Sequence, residues 1–264
     1  MYELAYSRPH TLADALVLLA EDEGAQALSG GQTLMPVLRA RLAMPTRLVD
    51  LQRLPELAGI KAVDGGIEIG AATTHAEVAA SAEVRAVLPA LADLAGGIGD
   101  PAIRHRGTIG GSIANNDPAA CYPSALLALG ASITTSQRTL AAEDFFTGMF
   151  STALEPGEIV TAVRLPACSR AAYIKFRNPA YRFALVGAFV AHLPSGTRIA
   201  ITGGGHGVFR WQEAEQHLDG GGAIAEITQD RLDLGHFTGD LHGSAEYRRH
   251  VAAVIVRRAL SAIA

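Results

Sequence analysis

Apolar residues recur at helical spacing after Thr11, with Ala15, Leu16, Leu18 and Leu19 falling on one side. Thr11 caps this stretch, and Asp14 puts negative charge in its first turn. Residues 25–28 predict a short strand, 34–42 a helix and 47–51 another strand. This β–α–β alternation predicts a small α/β unit ending near residue 55. Apolar runs at 60–63 and 67–70 flank Asp64-Gly65-Gly66, a hairpin signal. Helical patterns cover 75–80 and 83–94, and a glycine-rich stretch from Gly96 to Pro101 then breaks the chain. A short apolar helix is predicted over 123–129, with strands at 131–135 and 158–165. The middle region, 56–168, thus reads as α+β, and residues 166–170 as a linker. Strands follow at 171–177, 183–192 and 198–202, then helices at 211–218, near 223–227, and at 246–263. Strands followed by helices predict a separate α+β unit over 171–264.

Composition narrows the function classes. The chain has 264 residues, 49% of them hydrophobic, so a sizeable core is available. The net charge is −4 with no basic block, which argues against nucleic-acid binding. Cys121 and Cys168 are the only cysteines, too few for a cluster or structural zinc site. Met1-Tyr2-Glu3-Leu4 carries no leader pattern and no apolar run approaches bilayer length, so a cytoplasmic protein is expected.

Two glycine turns carry the chemistry: Ser29-Gly30-Gly31-Gln32-Thr33 and Gly107-Thr108-Ile109-Gly110-Gly111-Ser112. Paired glycines let the backbone approach a ligand, and freed amides with adjacent hydroxyls suit phosphate oxygens. Either turn alone reads as an ordinary tight turn. Two of them, each with Ser or Thr, suggest a diphosphate clamp. Neither matches the Rossmann or P-loop pattern. Asn115-Asn116-Asp117-Pro118 follows the second turn and could shape a turn or hold a ribose. His75, next to Thr73-Thr74, reads as a helix-cap neighbour, and His105 as a surface residue. Glu143 with Asp144, and Asp93 with Asp100, read as solvated charges. No hydrolytic constellation appears, which suggests a chain that holds a redox cofactor.

The run from Leu28 to Pro36, LSGGQTLMP, closely resembles the first flavin loop of one family. The run from Ile103 to Ala120, IRHRGTIGGSIANNDPAA, resembles its second. The family is the FAD-binding medium subunit of molybdenum hydroxylases, the xanthine dehydrogenase and carbon monoxide dehydrogenase group. YIKFR at 173–177, FALVG at 183–187 and SAEYR at 244–248 are similar to its C-terminal region. The resemblance spans essentially the whole chain.

It implies an α+β protein with a vanillyl-alcohol-oxidase-like FAD fold of two subdomains, 1–55 and 56–168. A C-terminal domain of the carbon monoxide dehydrogenase flavoprotein type, 171–264, follows. By resemblance, Ser29, Gly30, Gly31, Gln32, Thr33 and Leu34 hold one side of the FAD diphosphate. Thr108, Ile109, Gly110, Gly111 and Ser112 hold the other. Ile98 and Val160 pack near the adenine or the ring system, and Lys175 lies near the flavin. Phe183, or failing it Tyr181, stacks on the isoalloxazine. Relatives often carry an acidic residue where this chain has Cys121, a ribose or adenine contact, which leaves Asn116 or Asp117 to compensate. Covalent relatives attach FAD through a histidine near the first loop; Gln32 stands here, so non-covalent FAD is expected. The implied assembly is a dimer of heterotrimers, with molybdopterin on a large subunit and [2Fe–2S] clusters on a small one. This chain would relay electrons through FAD to an external acceptor and carry no catalytic residue or metal of its own. A stand-alone FAD oxidase or a cofactor-free scaffold is the alternative.

Overall fold

The computed structural model describes residues 1–179 and 182–264. Its first sheet holds Ala5–Ser7, Arg47–Asp50 and Ala25–Leu28, in that spatial order and all parallel. Helix Leu12–Ala20 covers it, and Thr11 Oγ1 accepts the Asp14 N–H as the cap pattern predicts. Ala15 and Val49 are fully buried in the core between helix and sheet. The first glycine turn joins strand Ala25–Leu28 to helix Leu34–Arg39. That helix is shorter than expected, because Arg41 takes a left-handed φ of 58° soon after it.

The second sheet is antiparallel, in the order Ile60–Val63, Gly66–Gly70, Val160–Pro166, Ser132–Thr135 and Thr139–Ala141. Two features differ from expectation. The single helix over 83–94 is two helices, Ala82–Val87 and Pro89–Gly96. Leu88 between them has φ −150° and ψ 69°, outside the helical region that the ring of Pro89 disfavours for the residue before it. The second glycine turn is helical. Asp100 caps helix Pro101–Arg106, and Thr108 caps helix Ile109–Asn115, whose first turn contains both glycines. Helix Tyr122–Leu129 is buried along its whole length.

The third sheet is an antiparallel meander of Ala171–Arg177, Ala184–Leu193, Gly196–Thr202 and Phe209–Arg210. Residues 184–191 are all buried, because both faces of this strand are covered. Val186, Ala188 and Val190 pack with Val251 and Ile255 of helix Ala245–Ser261. Phe189 and Ala191 join the core around helix Tyr122–Leu129. The helix expected near 223–227 is a 3-10 turn, Ile224–Glu226. Glu143 binds both Arg198 and Arg210, tying the middle region to the third sheet. Among the described residues no helix is long and apolar enough to cross a membrane.

Candidate cofactor site

The two glycine turns, 79 positions apart, meet in space. Ser29 Oγ and Thr108 Oγ1 are 2.8 Å apart and share a hydrogen bond. A Cβ at Gly30 would lie 2.1 Å from the Arg106 carbonyl oxygen, so only glycine permits this approach. The two turns are not equivalent. Among the described residues, the N–H groups of Gly30, Gly31, Gln32 and Thr33 donate to no protein acceptor. Gly31, with φ 70°, helps to orient them. In the second turn the amides are already used. Ile109 N–H donates to Thr73 O, Gly110 to Ala71 O, Ser112 to Thr108 O and Gly111 to Thr108 Oγ1. Free amide donors for an anion therefore come from the first turn. The second supplies a tight wall, with room for no more than hydrogen at Gly110, whose Cβ would lie 2.5 Å from that of Ala71.

A cleft of about 460 Å3 opens where the turns meet, within the range of small-molecule sites. Ser29, Gly30, Gly31, Gln32, Thr33 and Leu34 line it, as do Thr108, Gly110, Gly111 and Ser112. Ile98, Asp117, Cys121, Val160, Lys175 and Phe183 complete the expected set on its walls. Two expected residues point elsewhere. Ile109 is fully buried in the core. Asn116 is buried with φ 43°, and its side-chain amide donates to Gly148 O and Ser151 O, both at 2.8 Å. It holds the 146–152 hairpin, which brings Phe150 to the rim of the cleft. Asp117 Oδ1 accepts the Ala119 N–H. Tyr181 lies outside the described residues.

The polar floor differs from the sequence expectation. Lys175 Nζ donates to Cys121 Sγ at 3.5 Å, so the thiol has a cationic neighbour. Both cysteines are buried free thiols. Burial and the neighbouring Cys121 push the Tyr173 phenol well up, so it stays protonated. Glu158 borders the cleft. Its burial would raise the pKa, but hydrogen bonds from Arg138, Thr135 and the Glu155 N–H outweigh that and hold it at about 2. His75 also lines the cleft and is only 5% exposed. Burial, reinforced by Arg104, lowers its pKa to about 4, so it is neutral at pH 7. In sequence His75 reads only as a helix-cap neighbour and Phe150 carries no signal, because nothing in their local pattern shows where they face.

The donor set suits a dinucleotide with a flexible diphosphate: free amides on one turn, hydroxyls at the junction, and apolar walls beyond. Residues 2–168 match the family described as the FAD-binding domain in molybdopterin dehydrogenase. The chain belongs to this family. It is the medium, FAD-binding subunit of a molybdenum hydroxylase, an oxidoreductase component. The medium subunit is 34% identical to the nicotine 6-hydroxylase medium subunit of Paenarthrobacter nicotinovorans, covering 97% of this chain and 96% of that one. It is also 34% identical to the carbon monoxide dehydrogenase medium chain of Hydrogenophaga pseudoflava, again over 97% and 96%. The solved carbon monoxide dehydrogenase of Hydrogenophaga pseudoflava, in a form lacking the Mo-pyranopterin moiety, superposes with TM-score 0.91. There the identity is 33%, over 99% of this chain and 97% of that one. Quinoline 2-oxidoreductase from Pseudomonas putida 86 gives TM-score 0.89 at 28% identity, over 99% and 97%.

Proposed function

We propose that this medium subunit takes electrons from [2Fe–2S] clusters of a partner subunit and passes them through non-covalent FAD to an external acceptor. The observation that carries this reading is the cleft itself, where free amides of Gly30 to Thr33 face a hydroxyl-tied second turn. FAD bound there supplies reversible two-electron chemistry. The chain's own residues bind and orient it. The free N–H groups meet the diphosphate, while Ser29 and Thr108 fix the spacing of the turns. Ile98 and Val160 give apolar contact, and Lys175 places a positive charge near the flavin. Phe183, half-exposed on the wall, is available to lie against the isoalloxazine ring. The residues divide into FAD-binding parts, 1–55 and 56–168, and a C-terminal part, 171–264.

The partners in this reading are a large molybdopterin subunit, where substrate reacts, and a small [2Fe–2S] subunit, assembled as a dimer of heterotrimers. Exposed Met149, Phe150 and Phe183 leave apolar surface beside the cleft for such a partner. Two free buried thiols suit a reducing cytoplasm. The test is to purify the heteromeric complex and quantify flavin released by denaturation. Stoichiometric FAD, released without proteolysis, is expected. A flavin-free complex, or flavin that stays on the denatured chain, would contradict the reading.

A further inference from the structure

Thr73-Thr74-His75 delivers a histidine to the cleft by a rigid local device. Thr74 Oγ1 accepts the Glu77 N–H at 3.2 Å, and the Glu77 carboxylate accepts the Thr74 N–H at 2.7 Å. This capping box fixes the start of helix His75–Ala80. The His75 N–H donates to Gly107 O at 2.9 Å, and Thr74 pairs with Thr108 in a β-bridge. The His75 backbone is therefore tied to the second glycine turn at both ends of that contact.

His75 is buried, and its ring shows an unusual asymmetry. Its Nδ1 is sealed off without any hydrogen-bond partner. A proton there would be a buried donor with no acceptor, which costs the full desolvation of the group. Placing the proton on Nε2 and the lone pair on Nδ1 avoids a buried N–H with no acceptor. Nε2 is the ring atom beside Gly107: a Cβ on that glycine would lie 2.6 Å from it. That explains a glycine at 107 whose φ of −63° would suit any residue. Tyr122, whose ring centroid is 5.3 Å away and whose hydroxyl also lacks a partner, closes the far side. His75 lines the cleft, and an acceptor held there is what Nε2–H would meet.

We infer that His75 is a cofactor-binding residue, its Nε2–H donating to an acceptor oxygen of FAD held against the Gly107–Thr108 turn. This rests on the cleft being the FAD site. A buried histidine serving packing alone would be replaceable by phenylalanine without effect on the cofactor.

The test compares His75→Phe, which keeps the ring without the N–H, with His75→Gln, which keeps a donor. FAD affinity is measured on the deflavinated full chain by flavin fluorescence. His75→Phe should bind FAD about 10- to 100-fold more weakly, as for loss of a hydrogen bond to a charged group, and His75→Gln within about threefold of the parent. The FAD-free Tm of His75→Phe should be equal or higher, since a buried polar atom without a partner is gone. Parent-like FAD affinity in His75→Phe, or equal weakness in His75→Gln, would overturn the assignment. Should His75→Phe fail to fold, the 15N spectrum of the parent ring decides. A proton on Nε2 in the FAD complex supports the inference and one on Nδ1 refutes it. If the parent chain itself binds no FAD, the failure lies with the site and not with His75.

Discussion

Ser29 Oγ and Thr108 Oγ1 lie 2.8 Å apart and join the turn after strand Ala25–Leu28 to the turn that opens helix Ile109–Asn115. Thr108 has a second task, because the same oxygen accepts the Gly111 N–H and caps helix Ile109–Asn115. Thr108→Val should therefore cost about 1–2 kcal/mol of stability, the range for a lost N-cap. Ser29→Ala removes the tie alone and should cost about 0.5–1 kcal/mol. Urea unfolding of both single variants and the double variant checks this, with a coupling of about 0.5 kcal/mol or more expected from the shared bond.

Asn116 should prove to be a support for the rim. Its two bonds hold the hairpin that carries Phe150, itself left-handed with φ 52° and bonded through its N–H to Asn116 O. Asn116→Ala leaves two carbonyls without their donor and should cost about 2–3 kcal/mol. Limited proteolysis should then cut within residues 146–152, while FAD still binds the parts of the cleft formed by the glycine turns.

Cys121→Asp should be accepted. The thiol is buried but sits 3.5 Å from Lys175 Nζ, so a carboxylate there gains an ion-pair partner. The expected stability change is within about 1 kcal/mol. Adding Lys175→Ala to that variant strands the charge and should cost about 3–5 kcal/mol. Thermal unfolding of the three proteins distinguishes this from a simple packing role for Cys121.

Acid should weaken the FAD-free protein in two windows. His75 has a folded pKa of about 4, below its ordinary 6.5, so the unfolded chain takes up its proton first. Its stabilisation is complete above about pH 6.5 and is lost as pH falls toward 4. Glu158 is held at about 2, below its ordinary 4.5, so its contribution is lost between about pH 4.5 and 2. His75→Gln should flatten the first window of a Tm-versus-pH curve and leave the second; Glu158→Gln should do the reverse.

Much of the fold and the site was legible in the chain. Strand Ala184–Leu193 announced itself by continuous apolar character, and LSGGQTL and GTIGGS fall at the cleft. Helix Ile109–Asn115 did not, because Gly110 and Gly111 read as breakers. Gly110 is there because Ala71, distant in sequence, leaves no room for a Cβ. The break at Leu88 was readable from Pro89. His75 was not, since a capping box looks the same whether the residue after the cap faces solvent or a cleft. Asn116 misled for a related reason: its partners Gly148 and Ser151 are 32 and 35 residues away.

In the proposed role this chain relays electrons and does not meet the substrate. Stopped-flow absorbance of the flavin, with the substrate of the molybdenum subunit added, tests it most directly. In the heteromeric complex the flavin should bleach after the iron–sulfur signal changes, and the isolated FAD-loaded chain should stay oxidised. Direct bleaching of the isolated chain by that substrate would contradict the account.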